Sequence, residues 1–593
     1  MFKLYKYLKP YIWQSGLLLL AIAVQVWTNL QLPAMMANII NHGIVDGDLN
    51  YVWSTGVGMI CFALISSACA FTANFLSSWI GARITRDIRR DFFVHVLSLS
   101  TSEIDNFSTA SLITRTVTDI FQVQQAIVMT LSMGLRAPLT CVLAIGQAIA
   151  TAPDMTWIIA LAVGVILILT VVIMSIVMPK FKIIQKLADR VTLLTRENLT
   201  GLRVIRAFNN EKLEKRKFDR TNKEYSHLNA WVDVIMSLEN PLVSLVFNGT
   251  TLLCIWIGIS LLTRDFAYLG NMMAFMQYAV QVVMSFLFLT MLFVVLPRAS
   301  VSAKRVNEVF DTKSKIVWKP QTIGKPSIAP SVEFLHVDFA YSGAEEKVLQ
   351  DISFTARAGE TTALIGSTGS GKSTLINLVP RFYEATAGEI KINGINIQDY
   401  AQADLMRRIG YVPQRGVLFE GTVKSNILFG TPEASEDQLH LAARVSQSAE
   451  FINKLDKKYD SHIAQGGTNV SGGQRQRLSI ARAIAKDPDI YIFDDSFSAL
   501  DMKTDAKLRH DLKPITKEAV TLIVAQRIST IKDAEQIIVL NQGKVVGKGN
   551  HLELLGNCKV YREIAKSQLS DQEFQQEMAK SAKNSNVKEK NHA

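Results

Sequence analysis

Cysteine is scarce in this chain, with five in 593 residues, and its spacing does not make up for the scarcity. Cys61, Cys69, Cys141 and Cys254 fall inside apolar runs and Cys558 stands alone. No paired spacing is present, which excludes a disulfide-stapled secreted fold and a zinc module. Each thiol reads as a small buried hydrophobe. A cleavable leader is not expected either. The start, MFKLYKYLKPY, is basic and aromatic, but the apolar run behind it is too long and lacks a small-residue cleavage site. It reads as a short amphipathic segment on the inner membrane surface.

Lysine and arginine are missing from two particular places. Residues 41–51 and 150–156 contain neither, and a third short connector has only Arg264, whereas 81–130 and 179–233 are rich in both. The net charge of +11 therefore does not point to nucleic acid, because much of the basic excess lies beside greasy segments. Apolar residues make up 49% of the chain with a mean hydropathy of +0.18, and they crowd into the first 300 or so positions. Six runs, at 12–35, 53–80, 131–152, 154–178, 236–262 and 272–297, each supply the ~20 apolar residues that a bilayer core of ~30 Å requires of a helix. Charge asymmetry then places both termini and both long loops in the cytoplasm.

The long loops are patterned. Ile84, Ile88, Phe92 and Val96 recur every four residues, on one helical face, and a polar cluster, SLSTSEIDNFSTAS, interrupts the helix before it resumes. About 25 helical residues reach nearly 40 Å beyond the membrane. The second loop places GLRVIRAFNNEKLEKRKF, at 201–218, similarly. A Pro- and Lys-containing stretch, KPQTIGKPSIAPS, follows the last span and marks a boundary. The expected organisation is a six-helix membrane domain at 1–312, a linker at 313–330, an α/β domain at 331–570 and a flexible charged tail at 571–593.

The second half opens on a strand pattern, VEFLHVDFAY, and continues into ALIGSTGSGKSTLINLV at 363–379. Gly366, Gly371, Lys372 and Ser373 match the phosphate-binding loop G-x-x-x-x-G-K-[ST]. Ser367, Thr368, Gly369 and Ser370 fill the loop, and Thr374 follows it on the helix. Glycines let backbone N–H groups curl around phosphates, with the positive end of the next helix facing them. Lys372 is expected on the β and γ phosphates and Ser373 on Mg²⁺. Further on, IYIFDDSFSALD ends an apolar strand in Asp494 and Asp495. Asp494 is expected to hold Mg²⁺ through water, and Asp495 to stand beside the γ-phosphate.

The sequence VSGGQRQR, at 470–477, resembles the signature motif of ATP-binding cassette (ABC) proteins, about 100 residues after the phosphate loop and about 20 before Asp494. Gln414, in YVPQ, matches that family's glutamine loop, a further Mg²⁺ contact. Tyr341 stands where an aromatic residue stacks on adenine. Ser498, Ala499, Leu500 and Asp501 match the loop that crosses the dimer interface. The six-span half resembles the family's exporters, with coupling turns near 104–111 and 201–208. The resemblance implies a polytopic α-helical membrane domain with long cytosolic extensions, joined to a C-terminal α/β P-loop nucleotide-binding domain. It also implies ATP and Mg²⁺ as ligands. In the family, Ser471, Gly472, Gly473 and Gln474 close over ATP held by the opposite subunit, so a chain with one phosphate loop and six spans is half a machine.

Three positions depart from that pattern. Asp495 replaces the catalytic Glu, Gln526 in TLIVAQRIST replaces the family's His, and Gln465 stands where exporters often have Glu. The shorter acid retracts the carboxylate by roughly an ångström, a misplacement that can cost on the order of 10²-fold in rate. Gln526 can bond a phosphate oxygen but cannot carry a positive charge. With an intact signature, this resembles the degenerate subunit of bacterial heterodimeric multidrug exporters. The implied partner is a homologous half-transporter with intact Glu and His, in a bacterial plasma membrane. A homodimer hydrolysing slowly with Asp495, an importer of an iron chelate or haem-like compound on the same scaffold, and a regulatory ATP-binding membrane subunit are the alternatives.

Substrate signals are thinner. Gln25, Asn29, Glu239, Gln277 and Gln281 are polar residues in the spans. Glu239 is the candidate for attracting a cationic amphiphile, with helix capping as its bland alternative. Met and Phe residues of the last span, from Met272 to Met291, suit a promiscuous cavity for small hydrophobic compounds as well as they suit ordinary packing.

Overall fold

Six long helices dominate the first half: α1 (Lys6–Ile44), α2 (Leu49–Ser98), α3 (Thr109–Thr151), α4 (Pro153–Thr200), α5 (Glu211–Ile259) and α6 (Leu269–Asp311). Each carries an apolar window long enough to cross a membrane, and each expected run falls on one of them to within a few residues. The computed structural model describes residues 2–262, 268–320 and 329–592; Arg264 and residues 321–328 of the expected linker at 313–330 lie outside them. The chain divides into two compact units. One comprises Met1–Leu97 with Ala110–Thr312, and the other Ser98–Thr109 with Lys313–Ala593.

In the first unit, helices pack through small and branched aliphatic residues such as Leu18, Ile22, Val26, Ala144, Ala148 and Ile158. Buried polar bonds fix the pairing. The Tyr278 hydroxyl donates to the Leu30 carbonyl at 3.0 Å, and Asn41 bonds both Asn271 and the backbone of Gly270, tying α1 to α6. Ser302 donates to Asp119 at 2.9 Å, and Arg305 pairs with the same carboxylate, tying α3 to α6. The expected surface segment at the start is a 3-10 helix, Phe2–Tyr11. Tyr7 and Tyr11 donate to Asp91 and Asp87 of α2 at 3.0 and 2.8 Å. Cys61 is exposed on α2, which corrects the reading of every cysteine as buried within protein; on a membrane helix, lipid covers such a face.

The long loops are helical. Ile84, Ile88 and Phe92 are buried along one face of α2, as the four-residue spacing requires. At Ser100 the chain turns into a short helix, Thr101–Phe107. A capping box starts it, with Ser100 N–H donating to Glu103. The second turn is the helix Leu202–Ala207, behind Gly201.

The second unit is built on a six-stranded sheet: β1 (Thr361–Gly366), β2 (Ile409–Val412), β3 (Ile490–Asp494), β4 (Val520–Val524), β5 (Gln536–Asn541) and β6 (Lys544–Gly549). Their order across the sheet is β6-β5-β1-β4-β3-β2, parallel except for β6. Alternation along each strand separates two cores. Ala363, Ile365, Tyr491 and Phe493 point toward the helices that include Gly472–Ala485. Leu364, Ile490, Ile492 and Leu522 point toward a four-stranded antiparallel sheet led by Ser331–Phe339. A parallel strand buried on both faces reads as a continuous apolar run, which is why IYIF is unbroken.

The expected flexible tail at 571–593 is corrected by the structure: Asp571–His592 is a helix. Phe574 and Met578, one turn apart, pack on the core, and Ser581 donates to the Leu552 carbonyl at 2.6 Å. Ser570 caps the helix through Glu573. A charged composition hid one apolar stripe at i, i+4 spacing.

Candidate nucleotide-binding site

β1 ends at Gly366, and the loop to the helix Lys372–Leu378 wraps back over its own carbonyls. Gly366 cannot carry a side chain, since a Cβ would come 2.1 Å from the Leu540 carbonyl oxygen. Gly371 adopts φ +96°, where L side chains rarely go. Lys372 Nζ donates to the carbonyls of Gly366 and Ser367 at 2.9 and 2.7 Å. Desolvation by burial pulls its pKa down, while Asp495 and Asp494 pull it back up. The ammonium is thus held over the loop whose backbone would cradle phosphates.

Ser373 Oγ donates to Asp494 Oδ1 at 3.0 Å. A hydroxyl and a carboxylate in contact at the mouth of a phosphate loop fit a hard divalent cation such as Mg²⁺. One residue on, Asp495 turns the chain off β3. Its φ is +47°, a region that Asp and Asn enter more readily than other side-chain-bearing residues. Its N–H donates to the Val524 carbonyl at 3.0 Å, and Ser498 Oγ donates to the Asp495 carbonyl at 2.8 Å.

The Asp495 carboxylate is claimed by two amides. Gln526 Nε2 donates to Oδ2 at 2.7 Å and Gln414 Nε2 to the same oxygen at 3.3 Å. Burial raises the pKa of both Asp494 and Asp495. The structure brings Lys372, Ser373, Asp494, Asp495, Gln414 and Gln526 into one cluster at the ends of β1, β2, β3 and β4.

Tyr341 is exposed at the edge of this cluster, its hydroxyl 3.0 Å from Thr374 Oγ1. Its ring meets Tyr383 edge-on, with centroids 5.3 Å apart. The Tyr383 hydroxyl donates to Asp105 at 2.9 Å, on the helix Thr101–Phe107. Sequence reasoning missed Tyr383, which lies in no motif. It also missed Gln476, a buried residue that accepts from Gly416 N and donates to the Pro413 carbonyl, both at 3.0 Å. Gln476 thereby clamps the two sides of Gln414.

Ser471, Gly472, Gly473 and Gln474 open the helix Gly472–Ala485 through a capping box. Ser471 and Gly472 are exposed. Among the described residues, no hydrogen bond joins them to the phosphate loop of the same chain. They lie instead against the loop Ser498–Asp501, where a Cβ on Gly473 would stand 3.4 Å from the Ala499 carbonyl oxygen. Asp501 caps the helix Met502–Leu512, accepting from Thr504 N at 2.9 Å.

In the first unit, Gln25, Asn29 and Gln281 line one cavity, whereas Gln277 and Glu239 do not. Within α5, Glu239 follows a one-residue break at Leu238 and starts the segment Glu239–Leu262, where a negative charge complements the macrodipole. Arg136 lines the same cavity and was missed. Its signal was available as a lone cation inside the 131–152 run.

Known proteins share this architecture. Residues 15–286 match the family described as ABC transporter transmembrane region, and residues 349–498 match the family ABC transporter. An ABC transporter ATP-binding protein of Mycobacterium tuberculosis strain H37Rv is 37% identical, over 95% of this chain and 97% of its own length. YfiB of Bacillus subtilis strain 168 is 34% identical, over 95% and 98%. An ATP-dependent lipid A-core flippase of Albidiferax ferrireducens is 30% identical, over 95% and 97%. A bacterial Atm1-family ABC exporter solved with ATP bound superposes with a TM-score of 0.78 at 22% identity, covering 95% of this chain and 99% of that one. With a six-helix membrane unit and a phosphate-loop unit fused in one polypeptide, the chain is a multi-pass membrane protein of the ABC transporter family, with the exporter-type fold.

Proposed function

We propose that this chain is one half of an ATP-driven exporter of hydrophobic or amphipathic compounds across a bacterial plasma membrane, and that it carries the slow site of a heterodimer. Both termini face the cytoplasm. The carrying observation is the 2.7 Å bond from Gln526 to Asp495. A neutral amide occupies the carboxylate that would have to accept a proton from the attacking water. A Glu carboxylate would reach one methylene further out than Asp495 does. Nothing comparable disturbs Ser471 to Gln474; Ser471 and Gly472 are exposed, Gly473 and Gln474 half-buried, and the motif serves a second subunit that has Glu and His.

The chain's own residues divide the work. Lys372 and the loop amides hold the triphosphate, Tyr341 takes the adenine, and Gln414 and Gln526 orient the Asp495 carboxylate. Ser373 and Asp494 with Gln414 would hold Mg²⁺, which would supply charge neutralisation to the phosphates. ATP stays gripped at this site while the partner's site turns over. The helices Thr101–Phe107 and Leu202–Ala207 carry the resulting motion to the spans. A relative that moves a lipid supports an amphipathic cargo.

The test compares this chain alone with this chain purified together with a homologous half-transporter that has the intact Glu and His, in sealed vesicles. ATP-dependent flux of a lipophilic compound is expected only from the pair. Full-speed pumping by copies of this chain alone would falsify the heterodimer. Uptake in the opposite direction would mark an importer.

A further inference from the structure

The membrane unit contains a polar cavity of about 180 Å³ between α1, α2, α3 and α6. Gln25, Asn29, Ser66, Thr140 and Gln281 supply polar groups to its wall, and Arg136 supplies the charge. No Asp or Glu lines it, and among the described residues Arg136 has no carboxylate partner. Its guanidinium stands 5.9 Å from the ring centre of Phe288, a contact that orients a cation without neutralising it. Arg136 lies 15 residues before the end of α3, about 22 Å along the helix, which sets it within the apolar run. A cation there without a counter-charge is costly.

The sequence positions that cation deliberately. Pro138 has no N–H for the carbonyl four residues back, at Gly134. The helix accommodates this in a π turn over Thr130–Gly134. One inserted residue rotates everything beyond it by about 100° relative to a regular helix, and Arg136, two residues past the turn, lines the cavity.

We infer that this cavity seats the anionic head of an amphiphile, with Arg136 as its counter-ion. Its volume is below the ~300–1,000 Å³ of a pocket that holds a whole drug-sized ligand. It therefore takes a head group, a carboxylate or similar oxyanion, while the apolar tail lies along the helices. The inference rests on the export reading only for the name of substrate; the charge selectivity stands by itself. Arg136, and not Glu239, sets the sign of the preferred cargo.

The test uses the full-length chain in phosphatidylcholine nanodiscs, without nucleotide, and the fluorescent probe 11-(dansylamino)undecanoic acid beside its uncharged methyl ester. Empty nanodiscs correct for partition into lipid. The acid is expected to bind roughly tenfold more tightly than the ester. Arg136→Gln removes that preference and Arg136→Lys keeps part of it, with size-exclusion profiles checking that each variant is folded. Equal binding of acid and ester by the unaltered protein, or a preference that survives Arg136→Gln, overturns the assignment. Vesicle flux separates the two readings. Charge-selective binding without ATP-driven flux would remove the export reading and leave this site standing. Flux with no binding preference for the acid would do the reverse.

Discussion

Gln526 Nε2 lies 2.7 Å from Asp495 Oδ2, so the two residues that depart from the family's catalytic pair are bonded to each other. Restoring one of them is therefore not expected to restore the site. Asp495→Glu lengthens the acid but leaves a neutral Gln to hold it, and Glu fits the left-handed backbone at 495 less readily than Asp. Phosphate release by the assembled transporter is expected to rise less than about tenfold. Adding Gln526→His is expected to raise it by more than the product of the two single effects, since residues acting as a unit are non-additive. Vigorous hydrolysis from Asp495→Glu alone would contradict this.

Asp494 and Asp495 are adjacent buried acids whose pKa values burial raises above the ordinary aspartate value of 3.8. The folded state therefore holds protons that the unfolded state has already released. Stability from this pair is greatest at low pH and falls as pH rises from 3.8 through the raised values. Asp494→Asn removes one of the charges while keeping an oxygen for Ser373. Without nucleotide, it is expected to raise the unfolding free energy of the nucleotide unit at neutral pH by on the order of 1 kcal/mol, seen as a higher thermal midpoint. It is also expected to abolish the extra stabilisation that Mg²⁺ adds to ATP. Fluorescence-monitored unfolding with and without Mg²⁺ reads both effects.

Periodicity made the six helices legible, because a bilayer demands about 20 apolar residues in a row and few other structures do. The phosphate loop was legible for a different reason: Gly366 and Gly371 are dictated by backbone geometry, so their spacing survives in the sequence. Tyr383, Gln476 and Arg136 were not legible in this way. The first two act through contacts to residues 278 and 60 positions away, and such pairings leave no local pattern. Arg136 was visible as a residue, but its direction depended on a π turn that spacing rules built on 3.6 residues per turn do not foresee. The terminal helix Asp571–His592 failed for the opposite reason, since its composition outweighed a stripe of only Phe574 and Met578.

The signature lies apart from its own phosphate loop, which leads to a test of division of labour. Gly473 sits where a Cβ meets the Ala499 carbonyl at 3.4 Å, so a larger, charged side chain disturbs both the signature and the crossing loop. Gly473→Asp is expected to reduce ATP turnover by the assembled pair by roughly 10²-fold, the scale on which removing one transition-state donor acts. ATP binding by this chain's own loop is expected to persist, read by photo-labelling with an azido-ATP. Loss of labelling on this chain together with turnover would mean that the signature serves its own loop.

Tyr383 connects the adenine side of the site to the turn between α2 and α3. Its hydroxyl donates to Asp105 at 2.9 Å, and its ring packs edge-on against Tyr341. Desolvation by burial, and then Asp105 itself, raise the Tyr383 pKa, so the hydroxyl remains a donor throughout the physiological range. Asp105 belongs to a seven-residue helix that is continuous in the chain with two spans. Tyr383→Phe removes the bond and keeps the ring. A hydrogen bond to a carboxylate at an exposed site contributes about 1 kcal/mol, or about a fivefold change in an equilibrium. The ratio of amphiphile-stimulated to basal ATP hydrolysis is expected to fall by about that factor, with the affinity for ATP unchanged. Asp105→Asn, which keeps an acceptor but loses the charge, is expected to fall between the two. A stimulation ratio that is the same in all three proteins would show that this contact only stabilises the turn and transmits nothing.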